Sequence, residues 1–454
     1  MKLDDSFRDL GEDMQEDFRD REEESEAARL SRRGFLKVAG GAGLAVGLSG
    51  SLGALIAACG GGTASSSASA TATATATAIS PDQANSIGQL GPSLLSTLPA
   101  DIQADYELAS TTPLGESIYK NFKPKNGPPW LIGFASSYAG NSWRIGARTR
   151  MTNVLLPKYK TAGLVKDVIT TESNLVEATQ IQQIRQLVNQ GCDAIFTIGP
   201  SARGLNGAIK YAYDHGVLFV AVQGAALTPY ALLVSGNYAL AGKLQSETLS
   251  KDIGGQGNVL IVQGITQAQA SQDFQRGHEA GLKESPGIKV VGVVAGMWTD
   301  AVAKTEVLKF ISTHPAPLAG IASQSPGDLG SMDALMQLGQ KVVPITAGGE
   351  VGPLVYWRDN PSWISKSYQS WPPGNEMQEG WEAMIRTLQG QSPKIATIMR
   401  GPSPIVHGDL ATLLPAGATL TSNDWIQPPP EKWFPSAAMD NFFNNPIDPL
   451  SWKA

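Results

Sequence analysis

Four histidines, two cysteines and several glycine-rich turns are the residues of this 454-residue chain that could support catalysis or hold a metal. The histidines stand far apart, and none has a carboxylate or a cysteine at the spacing of a metal-ligand motif. They are His215, His278, His314 and His407. The Gly-x-Ser-x-Gly turn of hydrolases does not occur, and the glycine-rich segment 254–257 precedes a predicted strand, whereas a dinucleotide-binding loop follows one. The sequence therefore predicts a protein that is not an enzyme and has no metal or cofactor.

Tryptophan and arginine side chains that follow predicted strands could instead bind a small polar molecule. Trp143 and Arg144 come after the first predicted strand, and Trp298 comes after the strand that ends at Val294. A flat aromatic ring packs against the C–H face of a sugar, while amides and guanidinium groups hydrogen-bond to its hydroxyls. Core packing of the rings and a surface ion pair for the arginine are the alternatives.

Eight short apolar runs alternate with eight segments of helical periodicity from Trp130 onward. The predicted strands are 130–135, 167–170, 194–198, 218–222, 258–262, 289–294, 319–322 and 342–347. The predicted helices are 142–159, 175–190, 204–215, 238–253, 270–283, 300–313, 327–338 and 376–389. Strands that are each followed by a helix predict an α/β fold with parallel sheets.

Two arrangements of these strands are open, one eight-stranded barrel or two separate sheets. The Pro-, Trp- and Gly-rich segment 349–375 favours a crossover between two open sheets. Two doubly wound lobes leave a cleft at the carboxyl ends of their strands, where such sheets bind ligands. The sequence thus favours a protein that binds a small molecule.

Charge and composition exclude several classes of protein. Only 17% of the residues are charged, and the apolar residues come in short runs, which excludes a disordered acidic tail and a polytopic membrane protein. Twelve of the 41 acidic residues lie within the first 37 positions. The remainder is close to neutral and has no Lys/Arg stripe with interleaved aromatic residues, so nucleic acid is not an expected partner.

The amino terminus resembles a twin-arginine export signal joined to a lipoprotein box. The pair Arg32 and Arg33 precedes an uncharged Gly- and Ala-rich stretch, 38–58, that ends in Ile-Ala-Ala before Cys59. The many glycines and serines disfavour a permanent membrane span. The resemblance implies that 1–58 is a signal peptide, that the protein is exported by the twin-arginine route, and that lipid on Cys59 anchors it to the outer face of the cytoplasmic membrane, in a periplasm or at the cell surface.

The segment after this signal has no large apolar side chains to bury. Residues 60–80 are mostly Gly, Ser, Ala and Thr, a composition typical of a flexible tether. Beyond Cys59 the chain has one more cysteine, Cys192, at the start of an apolar predicted strand. This setting favours a buried structural thiol over a nucleophile.

Seven short strings in the body of the chain, taken in their order and spacing, resemble the type I periplasmic binding proteins. Within that family they resemble the ribose- and galactofuranose-binding branch that serves sugar ABC transporters. The strings lie at 132–134 with 140–144, 177–184, 191–195, 235–242, 258–264, 275–277 and 368–369. The resemblance covers roughly 130 to 426, most of the chain that would remain after cleavage.

The resemblance implies the type I periplasmic binding protein fold, two doubly wound parallel-sheet lobes joined by a three-strand hinge. The amino-terminal lobe would comprise 128–236 plus 371–398, and the carboxyl-terminal lobe 237–370 plus 399–426. Residues 59–127 would be the lipidated cysteine with a flexible linker or extension, and 427–454 a carboxyl-terminal extension. Bound ligand would close the lobes, and an ABC permease in the membrane would recognise the closed form.

The resemblance also implies a set of ligand-binding residues. Trp143 and Trp298 match positions that sandwich a sugar ring, one from each lobe, and Arg144 fits a Trp-Arg variant of the galactofuranose-like branch. The amides of the set are Asn141, Gln223, Asn237, Gln324 and Gln369. Amides both donate and accept hydrogen bonds, which suits hydroxyl groups.

The chain departs from this branch at three charged positions. Gln223-Gly224 stands where an Asp-Arg pair is usual, Phe274 where an Arg is usual, and Gly348 where an Asp is usual. The loss of two acidic acceptors, with Arg144 kept, favours a less hydroxylated, more apolar or anionic ligand. Glu350, two residues past Gly348, could restore one acceptor.

These observations together predict a monomeric, lipid-anchored solute-binding protein that delivers a sugar or a sugar-like molecule to a permease. Two alternatives are open. The same cleft and hinge would serve a protein that reports ligand to a signalling receptor. The ligand could also be a nucleoside, a sugar acid or an autoinducer, since the fold does not fix the ligand.

Overall fold

The computed structural model describes residues 92–109, 112–224, 226–369, 372–428 and 434–453. The predicted export signal with Arg32 and Arg33, the lipidation site Cys59 and the tether lie outside the described residues. The strands are β1 Trp130–Ser136, β2 Val165–Glu172, β3 Ala194–Ile198, β4 Leu218–Val222, β5 Leu232–Gly236, β6 Gln256–Gln263, β7 Gly287–Ala295, β8 Gly320–Ser323, β9 Ser367–Gln369, β10 Thr397–Arg400 and β11 Ser403–Ile405.

The helices are named in the same way, in chain order. They are α1 Pro92–Leu95, α2 Ala100–Ala104, α3 Ser142–Arg150, α4 Leu156–Thr161, α5 Glu177–Asn189, α6 Asn206–Asp214, α7 Tyr238–Asp252, α8 Gln269–Lys283, α9 Asp300–Thr313, α10 Asp328–Gln337, α11 Val351–Asp359, α12 Pro373–Leu388, α13 Leu410–Leu413 and α14 Ser436–Met439. A π-helical stretch, Met151–Leu155, joins α3 to α4 within the helix predicted at 142–159.

The first lobe is built on a six-stranded parallel sheet in the order β10-β5-β4-β3-β1-β2. Helices α5 and α6 pack together on one face, while α3 and α12 cover the other. Every residue of β3 and β4 is buried, and all of them except Thr197 are apolar, as expected for strands with helices on both faces. Gly380 of α12 lies so close to Phe196 and Val222 that a side chain there would meet them.

The second lobe has a smaller parallel sheet in the order β7-β6-β8. Helices α7 and α8 form one tight pair, and α9 packs with α10. Because the strands form separate sheets with helices between them, the prediction of two doubly wound α/β lobes is confirmed and the single barrel is excluded.

Three chain segments connect the lobes. The first runs from β5 through Asn237 into α7, the second from β9 to α12, and the third from β10 into β11. The strands β9 and β11 pair antiparallel, with Gln369 opposite Ser403. Strand β10 pairs with β5, so the first-lobe sheet extends to Arg400, two residues past the predicted boundary at 398.

One sequence-based expectation for the second lobe needs correction. The strand predicted at 342–347 is reduced to a single bridge between Ile345 and Ile321, because Pro344 has no N–H to continue the ladder. The segment 349–375, predicted as a crossover between the sheets, contains the nine-residue helix α11 and strand β9. Strands β5, β9, β10 and β11 were not predicted.

Residues 98–109 and 112–122 form a strap along the β10 edge of the first-lobe sheet. Its side chains Leu98, Ile102 and Tyr119 are buried in the core. The Tyr106 hydroxyl donates to the Thr397 carbonyl at 2.7 Å and accepts from the Met399 N–H at 3.2 Å. The described part of the predicted linker or extension, 59–127, therefore packs on the lobe through these apolar side chains.

The strap also touches the second lobe. Arg276 of α8 donates to the Leu108 carbonyl at 3.0 Å, and Asn237 donates to the carbonyls of Asp105 and Glu107. Arg400 pairs with Asp105 at 2.6 Å on the first-lobe side. The strap thus bridges both lobes beside the first crossover.

Tyr106→Phe should lower the free energy of unfolding by about 1 to 3 kcal/mol, because it leaves a buried carbonyl and a buried N–H without their partner. Chemical denaturation measures this. Tyr213→Phe is the matched control, since within the described residues its half-exposed hydroxyl makes no hydrogen bond, and it should change stability by less than about 0.5 kcal/mol. Equal stability of the two variants would show that the strap is not held through Tyr106.

The residues from 434 onward pack against the carboxyl-terminal end of α12. Phe434, Phe442 and Phe443 are buried there. Arg386 of α12, 1% exposed, pairs with Asp440 at 2.8 Å. Both segments outside the family resemblance thus add to the first-lobe core.

Candidate functional site

The loop after β1 meets the turn after β7 through one asparagine. Asn141 caps helix α3, since its Oδ1 accepts from the Arg144 N–H at 2.8 Å. Its Nδ2 donates to the Trp298 carbonyl at 3.1 Å. The same side chain therefore fixes the start of a first-lobe helix and joins it to the second lobe. We call this contact region between the lobes the interlobe seam, defined by 137–144, 223, 238, 297–299 and 376.

A second contact crosses the interlobe seam next to the first. The Tyr138 hydroxyl lies 3.3 Å from Oγ1 of Thr299. Met297 and Trp298 have φ of 56° and 53°, in the left-handed region, so the turn after β7 is sharply bent toward the first lobe. The two lobes are in contact here, as in a closed state.

The two tryptophans predicted to sandwich a ligand are both buried, and they belong to different hydrophobic clusters. Trp143 is 5% exposed and Trp298 is 3% exposed. The Trp298 ring lies on the backbone of Gly264, where any side chain would overlap it. Among the described residues the indole Nε1 of Trp298 has no hydrogen-bond partner. A buried indole N–H normally has one.

Arg144 lies in the first turn of α3 and is 3% exposed. Its Nη1 donates to Oγ of Ser137 at 2.9 Å and to the Tyr138 carbonyl at 3.4 Å, and its Nη2 donates to Oε1 of Gln223 at 3.4 Å. Its Nε has no partner among the described residues. Burial lowers the pKa of the Arg144 guanidinium to about 10, although nearby Tyr138 and Glu376 oppose the shift.

A buried carboxyl completes the network, and the sequence reasoning missed it. Glu376, in the first turn of α12, is fully buried. Its Oε1 accepts from the Gln223 N–H at 2.7 Å, and its Oε2 accepts from the Tyr238 hydroxyl at 3.1 Å. Burial raises the pKa of the Glu376 carboxyl to about 8, against the opposing effects of these hydrogen bonds and of Arg144. The sequence signal that could have indicated Glu376 is its position three residues after the pair Pro372 and Pro373, at the start of the helix that follows a crossover.

Three of the predicted binding amides have other partners. Asn237 caps α7 through the Leu240 N–H and donates to the strap. Gln324 accepts from the Gly264 N–H at 2.9 Å and from Ser271. Gln369 donates to the Ile426 carbonyl at 3.3 Å. The structure therefore uses these amides to hold loops and the hinge.

Comparison with known proteins settles the family. The family described as periplasmic binding protein domain matches residues 132–392, more than half of the chain. The chain belongs to this periplasmic binding protein family. The family implies a location outside the cytoplasm, and the resemblance of the body of the chain to periplasmic binding proteins is confirmed.

Similar curated proteins include two that are named for sugars or polyols. A xylitol-binding protein of Mycolicibacterium smegmatis is 28% identical over 181 residues, 39% of this chain and 52% of that protein. A galactofuranose-binding protein of Escherichia coli is 27% identical over 191 residues, 41% of this chain and 58% of that protein. The chain thus spans little more than half the length of these curated relatives.

Solved structures show the same fold. An ABC transporter solute-binding protein from Thermobispora bispora superposes with a TM-score of 0.61 at 21% identity, covering 69% of this chain and 94% of that one. A galactofuranose-binding protein gives a TM-score of 0.55 at 19% identity, covering 63% of this chain and 97% of that one.

Glu350, suggested from the sequence as a replacement for the acidic acceptor absent at Gly348, caps a helix. Its Oε2 accepts from the backbone N–H groups of Gly327, Asp328 and Leu329, at 3.1, 2.9 and 3.3 Å. Glu350 therefore caps the amino terminus of α10, because the unpaired N–H groups of a helix start bind a carboxylate. That Glu350 could also restore one acceptor for the ligand stays a prediction.

Metal-binding clusters and membrane-spanning helices are both absent from the described residues. No group of three or more His, Cys, Asp or Glu side chains in that part of the chain is arranged to hold a metal ion. None of its helices is both long and apolar enough to cross a membrane.

Proposed function

We propose that this periplasmic binding protein is the solute-binding component of an ABC transporter. It would capture a sugar or sugar-like molecule in the interlobe seam and present the closed form to a permease. The observation that carries the proposal is the meeting of both lobes at Asn141 and Trp298, on loops that follow the carboxyl ends of β1 and β7. Such loops bind ligands in doubly wound sheets.

The chemistry of the seam supports a sugar-like ligand. Trp143 and Trp298 supply flat apolar surfaces, while Asn141, Arg144 and Gln223 supply polar groups around them. The names of the curated relatives, a xylitol-binding and a galactofuranose-binding protein, support the same class of solute. Solved structures of the same fold with bound arabinofuranose and with bound myo-inositol add further support.

The attachment of the protein to the membrane belongs to the same proposal. Arg32 and Arg33 would direct export by the twin-arginine route, and lipid on Cys59 would hold the protein near its permease. A single chain supplies both lobes, so a monomer suffices. The seam would bind its ligand without transforming it, so no enzymatic activity is proposed. Labelling of Cys59 with lipid, lost in Cys59→Ser, tests the anchor.

Trp143→Ala tests the location of the site. Removal of the ring should weaken binding by about 1 to 3 kcal/mol, roughly 5- to 150-fold in Kd, because the stacking surface is lost. Thermal unfolding of residues 81–454 is first measured with a panel of pentoses, hexoses, polyols, sugar acids and nucleosides, to identify a solute that stabilises the protein. A solute present at 100 times its Kd should raise the free energy of unfolding by about 2.7 kcal/mol. Titration calorimetry with that solute then compares the variants.

The matched control is Trp452→Ala. Trp452 packs on Trp130 with ring centroids 5.9 Å apart, in the carboxyl-terminal extension. It should leave Kd unchanged even if it lowers stability. Unchanged affinity in Trp143→Ala would refute the placement of the site, and the absence of any stabilising solute in the panel would refute the proposed class of ligand.

A further inference from the structure

The buried guanidinium of Arg144 has only neutral hydrogen-bond partners. They are the Ser137 hydroxyl, the Tyr138 carbonyl and the Gln223 amide oxygen. No ion pair joins Arg144 to an acid of the described residues, and its Nε is unpartnered there at 3% exposure. A buried charge without an opposite charge is costly, so this arrangement favours a negatively charged partner from outside the chain.

The acids near Arg144 are engaged elsewhere. Glu172, at the end of β2, pairs with Arg148 at 3.5 Å. Asp273, on α8 near Tyr238, pairs with Arg276 at 2.7 Å. Neither acid forms an ion pair with Arg144.

Glu376 is the remaining acid that acts on Arg144, and it is held largely neutral at pH 7. Burial raises the pKa of its carboxyl to about 8, and both of its oxygens are bound by Gln223 and Tyr238. The groups that face it are Arg144 from α3, Gln223 from the end of β4 and Tyr238 from α7. At neutral pH the seam therefore carries the positive charge of Arg144 without a matching negative charge.

The buried side-chain atoms of the predicted binding residues that have no hydrogen-bond partner among the described residues are all donors. Of those eight residues, Arg144 and Trp298 have buried side-chain atoms without partners in the described part of the chain, and both atoms, Nε and Nε1, are donors. Asn141 joins the two residues, since it binds the Arg144 N–H and the Trp298 carbonyl. The seam therefore has unused donors, which a ligand with hydrogen-bond acceptors would satisfy.

We propose that the interlobe seam is specific for a sugar acid or a similar small monocarboxylate, whose carboxylate pairs with Arg144 while its apolar face packs on the tryptophans. The inference rests on the proposed function and narrows its ligand class. A guanidinium matches a carboxylate with two parallel hydrogen bonds. A phosphate fits less well, because it carries a charge of nearly −2 at neutral pH and the seam offers one cation.

The test compares sugars that differ only in the acid group. Titration calorimetry at pH 7 with D-galacturonate against D-galactose, and with D-glucuronate against D-glucose, should show the acid bound at least about 10-fold more tightly in one pair. Arg144→Gln should abolish this preference. Affinity of the wild type for the acid should fall between pH 7 and pH 9, because Glu376 then ionises beside Arg144.

Glu376→Gln separates charge from folding. It keeps the shape of the side chain and an acceptor for the Gln223 N–H, while its Nε2 would donate to the Tyr238 hydroxyl instead of accepting from it. Because glutamine does not ionise, affinity for the acid should no longer fall between pH 7 and pH 9. It also keeps the test valid if Arg144→Gln does not fold, which circular dichroism would reveal. Equal or tighter binding of the neutral sugars would overturn the inference and leave the proposed function standing. If none of the four compounds binds, the inference is overturned. If in addition no solute of the panel stabilises the protein, the proposed function is overturned as well.

Discussion

Glu376→Gln is expected to raise the free energy of unfolding at pH 9 by on the order of 4 kcal/mol and to change it little at pH 4.5. The carboxyl is fully buried, and its pKa is raised from 4.5 to about 8 mainly by that burial. Each pKa unit corresponds to about 1.4 kcal/mol. The glutamine amide can still accept from the Gln223 N–H, so the variant removes the ionisation and keeps the shape.

The sign follows from which state binds the proton more tightly. The folded protein holds the Glu376 proton up to about pH 8, whereas the unfolded chain releases it near pH 4.5. Ionisation therefore destabilises the fold progressively between these values, and the full cost is present above pH 8. The difference between variant and wild type should accordingly grow across this range.

Urea denaturation at pH 4.5, 7 and 9 measures the difference. Exposed Glu107→Gln is the control and should shift stability by a similar small amount at all three values. A pH-independent difference for Glu376→Gln would mean that the folded protein ionises this carboxyl without cost. In that case the electrostatic account of the seam fails.

Gly277→Ala should destabilise the second lobe by at least about 3 kcal/mol. Helices α7 and α8 cross through glycines, and a methyl group at Gly277 would overlap the Ala239 carbonyl oxygen. At Gly242 and Gly281 an added Cβ would lie 2.5 Å from the carbonyl oxygens of Phe274 and Lys243. Backbone atoms cannot rotate away, so the helices would have to separate, and overpacking of this kind is strongly destabilising.

Gly207→Ala provides the matched control for this change. Gly207 lies in α6 with no atom within 4 Å of an added Cβ. The substitution should be neutral or stabilise by up to about 1 kcal/mol, since alanine favours helix. Thermal unfolding of both variants decides the matter, and equal midpoints would contradict the close crossing. Because Tyr238 begins α7, Gly277→Ala should also weaken solute binding.

The helices and strands that depend on the local pattern of apolar and turn residues could be predicted from the sequence. Strands 194–198 and 218–222 and helix 300–313 have the predicted bounds, because each is a short apolar run or an amphipathic segment closed by turn residues. The hinge strands β9 and β11 were not predictable in this way. Three residues in each form a ladder only by pairing across a long sequence separation, with Gln369 opposite Ser403.

The site was predictable from the sequence only in part. Asn141, Arg144, Gln223 and Trp298 lie together in the structure. Asn237, Gln324 and Gln369 do not join them, because an amide that caps a helix or holds a loop looks the same in sequence as one that binds a ligand. Glu376 was missed because burial of a carboxyl at the start of α12 depends on packing between distant elements.

The most direct measurement of the central claim is hydrogen–deuterium exchange with and without the panel solute that stabilises the protein most. The account predicts slower exchange in 137–144, 222–224, 297–299 and 374–377, on both sides of the seam, because a bound solute would hold the lobes closed there. Exchange at the outer helix α6 should be unchanged. Protection confined to one lobe, or found away from these segments, would contradict a ligand site between the lobes.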